Sequence, residues 1–340
     1  MKRVLVTGAS GFTGSHLCRH LAAAGFTVHA LVRKASSRAL LEGIPFEPVE
    51  GDLRDPDSLQ AACAGADAVY HIAALYREGG TSRREFWEVN VEGTRRLLEA
   101  AATAGVGRFI HCSTVGVHGH IEHPPANEEA PLAPGDDYQE SKLAGEQLAS
   151  AFGQQHGLPV VVLRPAGIHG PGDRRFLKLF RWIERGRFIL FDGGRALYHL
   201  TYIDDLCRGI LLCGTHPAAA GRTYILAGPE YTTLAELCRR IAAAVGVAPP
   251  TIRLPSAPLW LAGAVCELLC RPLRIDPPLY RRRVDFFRKS RAFSIERARR
   301  ELGYEPQISL DEGLRRTAAW YREQGLLRGS PGAARLYSPR

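Results

Sequence analysis

Long hydrophobic runs are missing from this chain of 340 residues: uncharged apolar stretches stop at eight, as in Leu259 to Cys266. A helix crossing a bilayer needs roughly 20 such residues, so no membrane-spanning helix is expected. No secretory leader is expected either, because Val4-Leu5-Val6 follows Met1-Lys2-Arg3 at once and runs into a glycine motif. Cysteine is present but never clustered: the eight, at 18, 63, 112, 207, 213, 238, 266 and 270, show no CxxC and no zinc-type spacing. Buried thiols in a reducing cytoplasm are the reading that follows.

Basic excess is also missing from most of the chain. Net charge is +9, but residues 1–270 balance at 27 of each sign, and residues 271–340 carry 17 basic against 8 acidic groups. So local an excess argues against general nucleic-acid binding. The arginines at 271, 274 and 281–283 form either a solvated face, in a chain with 39 Arg and 5 Lys, or a patch for phosphate or an anionic membrane surface.

What is there is 45% hydrophobic sequence with 35 Gly and 22 Pro, enough for one large or two unequal domains. Short apolar runs predict strands at Val4–Val6, Val28–Val32, Phe46–Val49, Ala68–Ile72, Phe109–Cys112 and Val160–Leu163. Helical stretches alternate with them: one carries Leu17 and Leu21 and ends at Gly25, one spans Phe86 to Ala104, and one follows Tyr138. That alternation predicts an α/β fold with a doubly wound parallel sheet. Beyond Pro165 the rhythm changes to Pro/Gly clusters and longer helices such as Leu234–Val245. We therefore expect a first domain over 1–165 and a smaller, mostly helical substrate domain over 166–328. Segments near 199–206 and 223–228 would return to the first, and 329–340 would form a loose tail.

Thr7-Gly8-Ala9-Ser10-Gly11-Phe12-Thr13-Gly14 follows the first strand and opens the first helix. Gly8 permits the tight turn, Gly11 lets a pyrophosphate approach the backbone, and Gly14 lets helix and strand pack closely. Ser10, Phe12 and Thr13 lie between them, and the helix N-terminus offers free N–H groups to the phosphates. This is the dinucleotide cradle of a Rossmann fold. NAD-selective folds place an acid at the end of the second strand; here Val32 stands there, followed by Arg33 and Lys34. A guanidinium pairs with a 2′-phosphate where a carboxylate would repel it, which favours NADP over NAD. Asp52-Leu53 after the third strand suits the adenine edge, or Asp52 caps the turn at Pro56.

Tyr138 and Lys142 stand four residues apart, on one helix face. A free phenol titrates near ~10; a neighbouring ammonium favours phenolate and brings it toward working range. His71 reads as structural. His118, His120 and His123 match no common metal spacing, so no metal is expected.

These motifs, in this order, resemble the extended short-chain dehydrogenase/reductase superfamily of the epimerase/dehydratase type, over about residues 1–325. They are TGASGFTG at 7–14, Asp52-Leu53, His71-Ile72-Ala73-Ala74, Asn90 to Thr94, Cys112-Ser113-Thr114, Tyr138 with Lys142, Arg164-Pro165, and Tyr202-Ile203-Asp204-Asp205. The resemblance implies Tyr138 as acid/base, Lys142 on the nicotinamide ribose, and Thr114 (with Ser113 as runner-up) on the reacting oxygen. Ala73, Ala74, Asn90 and Pro165 would then belong to the cofactor site, with Asn90 bracing the backbone there. A homodimer is likewise implied.

Two substrate readings compete. Nucleotide-sugar epimerases and dehydratases of this family carry an Arg-Asp pair where this chain has Tyr198-His199, although Arg195 lies close enough in sequence to compensate. The apolar run from Pro255 to Cys270, followed by Pro277 to Tyr280 and three arginines, resembles 3β-hydroxysteroid and sterol-4-carboxylate dehydrogenases and the dihydroflavonol-reductase-like branch. It implies a hydrophobic ring alcohol as substrate and peripheral membrane contact through 255–283. A core or dimer helix is the plainer reading of the same run. A non-catalytic dinucleotide-binding regulator would share the cradle, but has no use for Tyr138 and Lys142.

Overall fold

Aliphatic strands and intervening helices alternate from the start: β1 (Arg3–Thr7), α1 (Phe12–Ala23), β2 (Thr27–Val32), β3 (Glu47–Glu50), α2 (Pro56–Cys63) and β4 (Ala68–His71). The structure, a computed structural model, describes residues 2–76, 81–273 and 281–328, without the side chains of 271–273 and 281–283. The expected tail at 329–340, Arg274, the Pro277–Tyr280 run and the side chains of Arg271 and Arg281 to Arg283 lie outside the described residues. Next come α3 (Arg83–Trp87), α4 (Gly93–Thr103), β5 (Arg108–Cys112), α5 (Asp137–His156) and β6 (Val160–Pro165). The later chain adds β7 (Gly167–His169), α6 (Leu177–Glu184), β8 (Leu190–Phe191), β9 (Leu197–Tyr202), α7 (Ile203–Thr215), β10 (Thr223–Leu226) and β11 (Tyr231–Thr233). It closes with α8 (Leu234–Val245), β12 (Arg253–Leu254), α9 (Ala257–Leu273), α10 (Arg281–Arg288), α11 (Glu296–Leu302) and α12 (Leu310–Glu323).

Seven strands form one sheet in the order β10-β6-β5-β4-β1-β2-β3, every pair parallel. Period-two alternation sends Val4 and Val6 to one face and Leu5 to the other; likewise Tyr70 and Val69, Ile110 and Phe109. One face packs under α1 and α7 through Leu17, Leu21, Ile203, Leu206 and Ile210. The other packs under α2, α4 and α5 through Leu59, Leu97, Ala101 and Ala149. Each fully buried leucine contributes about 2 kcal/mol. The expected doubly wound sheet is present, and the order reverses between β1 and β4, where such sheets open a ligand crevice at their carboxyl ends.

Two local outcomes differ from the sequence reading. The helix expected from Phe86 to Ala104 starts at Arg83 and widens into a π-turn over Glu88–Glu92 before α4. The two later segments expected to return part company: 223–226 supplies the seventh strand, whereas β9 pairs with β7 and β11 in a separate sheet. From Ile203 onward, α7 packs beneath the main sheet against α1. Helices α6, α8 and α12 enclose their own core around Phe180, Leu237, Ile241, Leu314 and Tyr321. Among the described residues, no helix is long and apolar enough to cross a membrane. Six of the eight cysteines are buried, and all eight are free thiols.

Candidate active site

At the switch between β1 and β4 the chain leaves a cavity of about 850 Å³, inside the ~300–1,000 Å³ range of ligand clefts. Its first wall is the turn from β1 into α1. Gly8 sits at φ +69°, and a Cβ there would lie 2.7 Å from the Ala73 backbone nitrogen; one on Gly14 would lie 2.1 Å from the Gly8 carbonyl oxygen. Neither position has room for a methyl group. No side chain caps α1 and its first turn holds no acid, so its leading N–H groups are left to meet an anion. The chain therefore fits a dinucleotide pyrophosphate on its own geometry.

Gly8, Ser10, Gly11, Phe12, Thr13, Gly14, Arg33, Asp52, Leu53, Ala73, Ala74, Thr114, Tyr138, Lys142 and Pro165 all line this cavity. Lys34 and Asn90 are not part of that lining. Lys34 follows Arg33 by one residue where the chain leaves β2, and of the two Arg33 lines the cavity. Asp52 accepts from the Arg54 N–H at 2.9 Å while also lining the cavity; the cap before Pro56 is Asp55.

Asn90 is buried in the π-turn. Its Oδ1 accepts from the Leu75 N–H at 2.8 Å, and its Nδ2 donates to the Leu75 carbonyl and to Ser141 Oγ at 2.9 Å. Ser141 in turn donates to the Tyr138 carbonyl at 2.8 Å. Asn90 thus braces the first turn of α5, which carries the phenol. Gly145 lets α5 lie against the π-turn: a Cβ there would come 2.5 Å from the Asn90 carbonyl oxygen.

Tyr138 stands half-buried at the start of α5, with the rings of Tyr76 and Phe86 edge-on at 5.0 and 6.1 Å between centroids. Lys142, one turn on, is fully buried and its Nζ donates to the Cys112 carbonyl at 2.6 Å. Burial pushes the ammonium's pKa down, opposed by Cys112 and Glu146. An ammonium carries three N–H groups, so two remain for whatever enters the cavity. Thr114 Oγ1 accepts from the Gly116 N–H at 3.0 Å, which leaves its own hydrogen free to point elsewhere. Ser113 Oγ is buried without a partner.

Beneath the site His71 is held neutral, its pKa lowered to about 3 by burial and by the Lys142 charge. The Thr94 hydroxyl donates to the Asn90 carbonyl, so it accepts from His71 Nε2 at 2.9 Å; Nδ1 is left as acceptor for Thr7 at 2.8 Å. His71 therefore ties β1 and β4 to the first turn of α4. Arg164 is also structural: its guanidinium pairs with buried Glu146 and donates to His118 Nε2 at 3.0 Å.

Part of the remaining lining was not read from the sequence. Arg175 donates to Asp173 at 2.7 Å and to the Ile168 carbonyl, and lies over the rings of Phe12 and Tyr76. The Gly/Pro cluster before it marked a turn, but nothing marked the arginine. Tyr198, His199, Asp285, Phe286, Lys289, Arg291 and Phe293 also line the cavity. His199 has both nitrogens engaged, Nε2 with the Gly228 carbonyl at 2.9 Å and Nδ1 with the Phe293 N–H. Arg195 is exposed and outside the cavity lining, so it does not replace the missing Arg-Asp pair.

The model of the NAD dependent epimerase/dehydratase family matches residues 4–227. The chain is 34% identical over 328 residues to 2-alkyl-3-oxoalkanoate reductase of Stenotrophomonas maltophilia, covering 93% of this chain and 98% of the relative. It is 32% identical over 337 residues to sterol demethylase protein B of Methylococcus capsulatus, covering 95% and 99%. Among solved structures, the dTDP-glucose 4,6-dehydratase DesIV of Streptomyces venezuelae, with NAD and TYD bound, superposes with a TM-score of 0.75. Identity is 30%, with 96% of this chain and 98% of that one covered.

Proposed function

Because the chain belongs to the NAD-dependent epimerase/dehydratase family, we propose that it is a dehydrogenase/reductase working on a secondary alcohol or ketone of a hydrophobic ring substrate. A sterol-type 3-hydroxyl is the reading we favour, with 3-dehydrogenation of a 4-carboxysterol as its specific form. In this scheme residues 1–165 hold the dinucleotide and 166–328 hold the substrate, in a homodimer. The observation that carries it is one cavity lined by the glycine turn, Tyr138, Lys142 and Thr114.

A dinucleotide held by the glycine turn, Arg33 and Lys142 would supply the hydride chemistry. Thr114, whose Oγ1 already accepts from Gly116, donates its hydrogen to the substrate oxygen and fixes its position. Tyr138 as phenolate takes the carbinol proton, and returns it when a ketone is reduced. Lys142, buried one turn away, favours the phenolate by its charge. Asn90, through Ser141, keeps the phenol-bearing turn in place. Arg33 lines the adenosine end and supports NADP as the preferred dinucleotide.

The exposed face of α9 suits a substrate drawn from a bilayer. Leu261, Val265, Leu268 and Leu269 form one helical stripe, 48–72% exposed, and we propose that it lies on an anionic membrane surface.

The test follows NAD(P)H across sterol, flavonoid and nucleotide-sugar panels. Turnover of 3-hydroxysteroids is expected; turnover confined to nucleotide sugars sinks the reading. Tyr138→Phe is expected to lower kcat by about a thousandfold or more, with dinucleotide affinity within about twofold. Unchanged turnover in that variant removes Tyr138 from the chemistry.

A further inference from the structure

The part of the cavity lining that comes from beyond residue 165 is apolar but not neutral. Three cationic side chains line it, and two of them have a carboxylate of their own. Arg175 pairs with Asp173 at 2.7 Å, and Lys289 with Asp285 at 2.8 Å. Arg291 has none within 4.0 Å among the described residues. Its side-chain contact is with Tyr198: Nη1 donates to the phenol oxygen at 3.4 Å, and the guanidinium stands 6.0 Å from the ring centroid. The Tyr198 hydroxyl gives its own hydrogen to the Phe286 carbonyl, so its oxygen offers Arg291 a lone pair and no charge.

Arg291 is also held in place. Its backbone N–H donates to the Leu197 carbonyl at 2.7 Å, and a bridge to Tyr198 fixes the main chain there. A guanidinium stays charged at any working pH, and its planar fork matches a carboxylate with paired hydrogen bonds. Phe286, Phe293, Phe176 and Leu200 line the same cavity, and apolar surroundings strengthen such a pair. His199, with both ring nitrogens engaged, has no donor left for a phosphate.

We propose that Arg291 seats a carboxylate on the substrate, so that the enzyme works on hydrophobic hydroxy acids and their oxo counterparts in preference to neutral alcohols. This rests on the dehydrogenase reading of the same cavity. In the oxidising direction the carbinol O–H proton goes to Tyr138 and the C–H hydride to the oxidised nicotinamide. The C–O bond becomes C=O, and the carboxylate stays unchanged on Arg291.

The experiment compares a 2-alkyl-3-hydroxyalkanoate with its methyl ester, using the wild type, Arg291→Gln and Arg291→Lys. Calorimetry adds the binding of a 2-alkylalkanoate, which has no 3-oxygen, to each enzyme loaded with dinucleotide. The wild type should prefer acid over ester by about ten- to hundredfold in kcat/KM, through KM. Arg291→Gln should bring that ratio to about one and weaken binding of the 2-alkylalkanoate equally, and Arg291→Lys should restore part of both. Should Arg291→Gln fail to fold, Arg291→Lys carries the test, with a rise of several-fold in KM for the acid and none for the ester. Equal use of acid and ester by the wild type, or equal binding of the 2-alkylalkanoate by wild type and Arg291→Gln, overturns the carboxylate seat and leaves the dehydrogenase reading intact. Absent turnover of every alcohol, with binding still sensitive to Arg291, sinks the dehydrogenase reading and supports the seat.

Discussion

The glycine-turn wall and the Arg291 wall belong to one cavity, yet their residues arrive there by different routes. On the first wall, Gly8, Ser10, Gly11, Phe12, Thr13 and Gly14 are neighbours in sequence, brought together by a single strand–turn–helix. On the second, Tyr198 meets Arg291 across 93 residues, and Lys289 comes from the end of α10. The first wall is fixed by local backbone geometry with no space for a methyl group. Packing of separate elements makes the second. A wall of the first kind tolerates little change and serves one recurring ligand, whereas one of the second kind can change its side chains without disturbing the sheet.

The sharpest way to break this contrast is at Gly14. A Cβ there would fall 2.1 Å from the Gly8 carbonyl oxygen, a backbone atom that cannot swing away. Gly14→Ala should cost about 3 kcal/mol or more of unfolding free energy, and with it most of the dinucleotide affinity. Gly25 makes the control: it has φ +83° but nothing within 4 Å of its Cβ position. Gly25→Ala should cost only about 1 kcal/mol, from the backbone alone. Similar losses at the two sites, measured by urea unfolding and dinucleotide titration, would mean that the close approach at Gly14 is not what holds the turn.

Arg33 sits on the first wall but is a long, exposed side chain, so it should behave like a member of the second. Arg33→Ala is expected to weaken NADP by about ten- to hundredfold, as for a charge-assisted pair of ~1.5–3 kcal/mol, and to leave NAD almost unaffected. Stability should stay within ~0.5 kcal/mol. An equal loss for both dinucleotides would place Arg33 on the adenine or the pyrophosphate, not on a 2′-phosphate.

The same difference governs what was legible beforehand. The six early strands, the glycine turn and the Tyr138/Lys142 spacing could be read because each depends on residues within a turn or two of one another. Lys34 and Asn90 fall outside the cavity lining. Adjacency does not say which of two residues faces inward where a strand ends, and no residue pattern announced the π-turn that carries Asn90 to the Leu75 backbone. Gly145 looked like any helical glycine, because the carbonyl it makes room for belongs to another element. Arg175 and Arg291 lay beyond reach for a plainer reason. One arginine among 39 becomes distinctive only when folding brings it from a distant segment into the lining of the cavity.

The smallest effect is expected outside both walls, on α9. Leu268 is 72% exposed, so removing its side chain takes little from the folded core, and Leu268→Ala should leave unfolding within ~0.5 kcal/mol of wild type. If the stripe lies in a bilayer surface, the same change loses about 1 kcal/mol of apolar burial there. Partition onto phosphatidylglycerol vesicles in a flotation assay should then fall about fivefold. A stripe that covers a second copy of the chain gives a different pattern. Vesicle binding would be negligible from the start, and the substitution would shift the monomer–dimer balance seen by sedimentation. The two surfaces are separable because lipid charge matters to only one of them: replacing phosphatidylglycerol by a neutral lipid should weaken binding if the arginine-rich sequence after α9 meets the headgroups, and self-association would not respond.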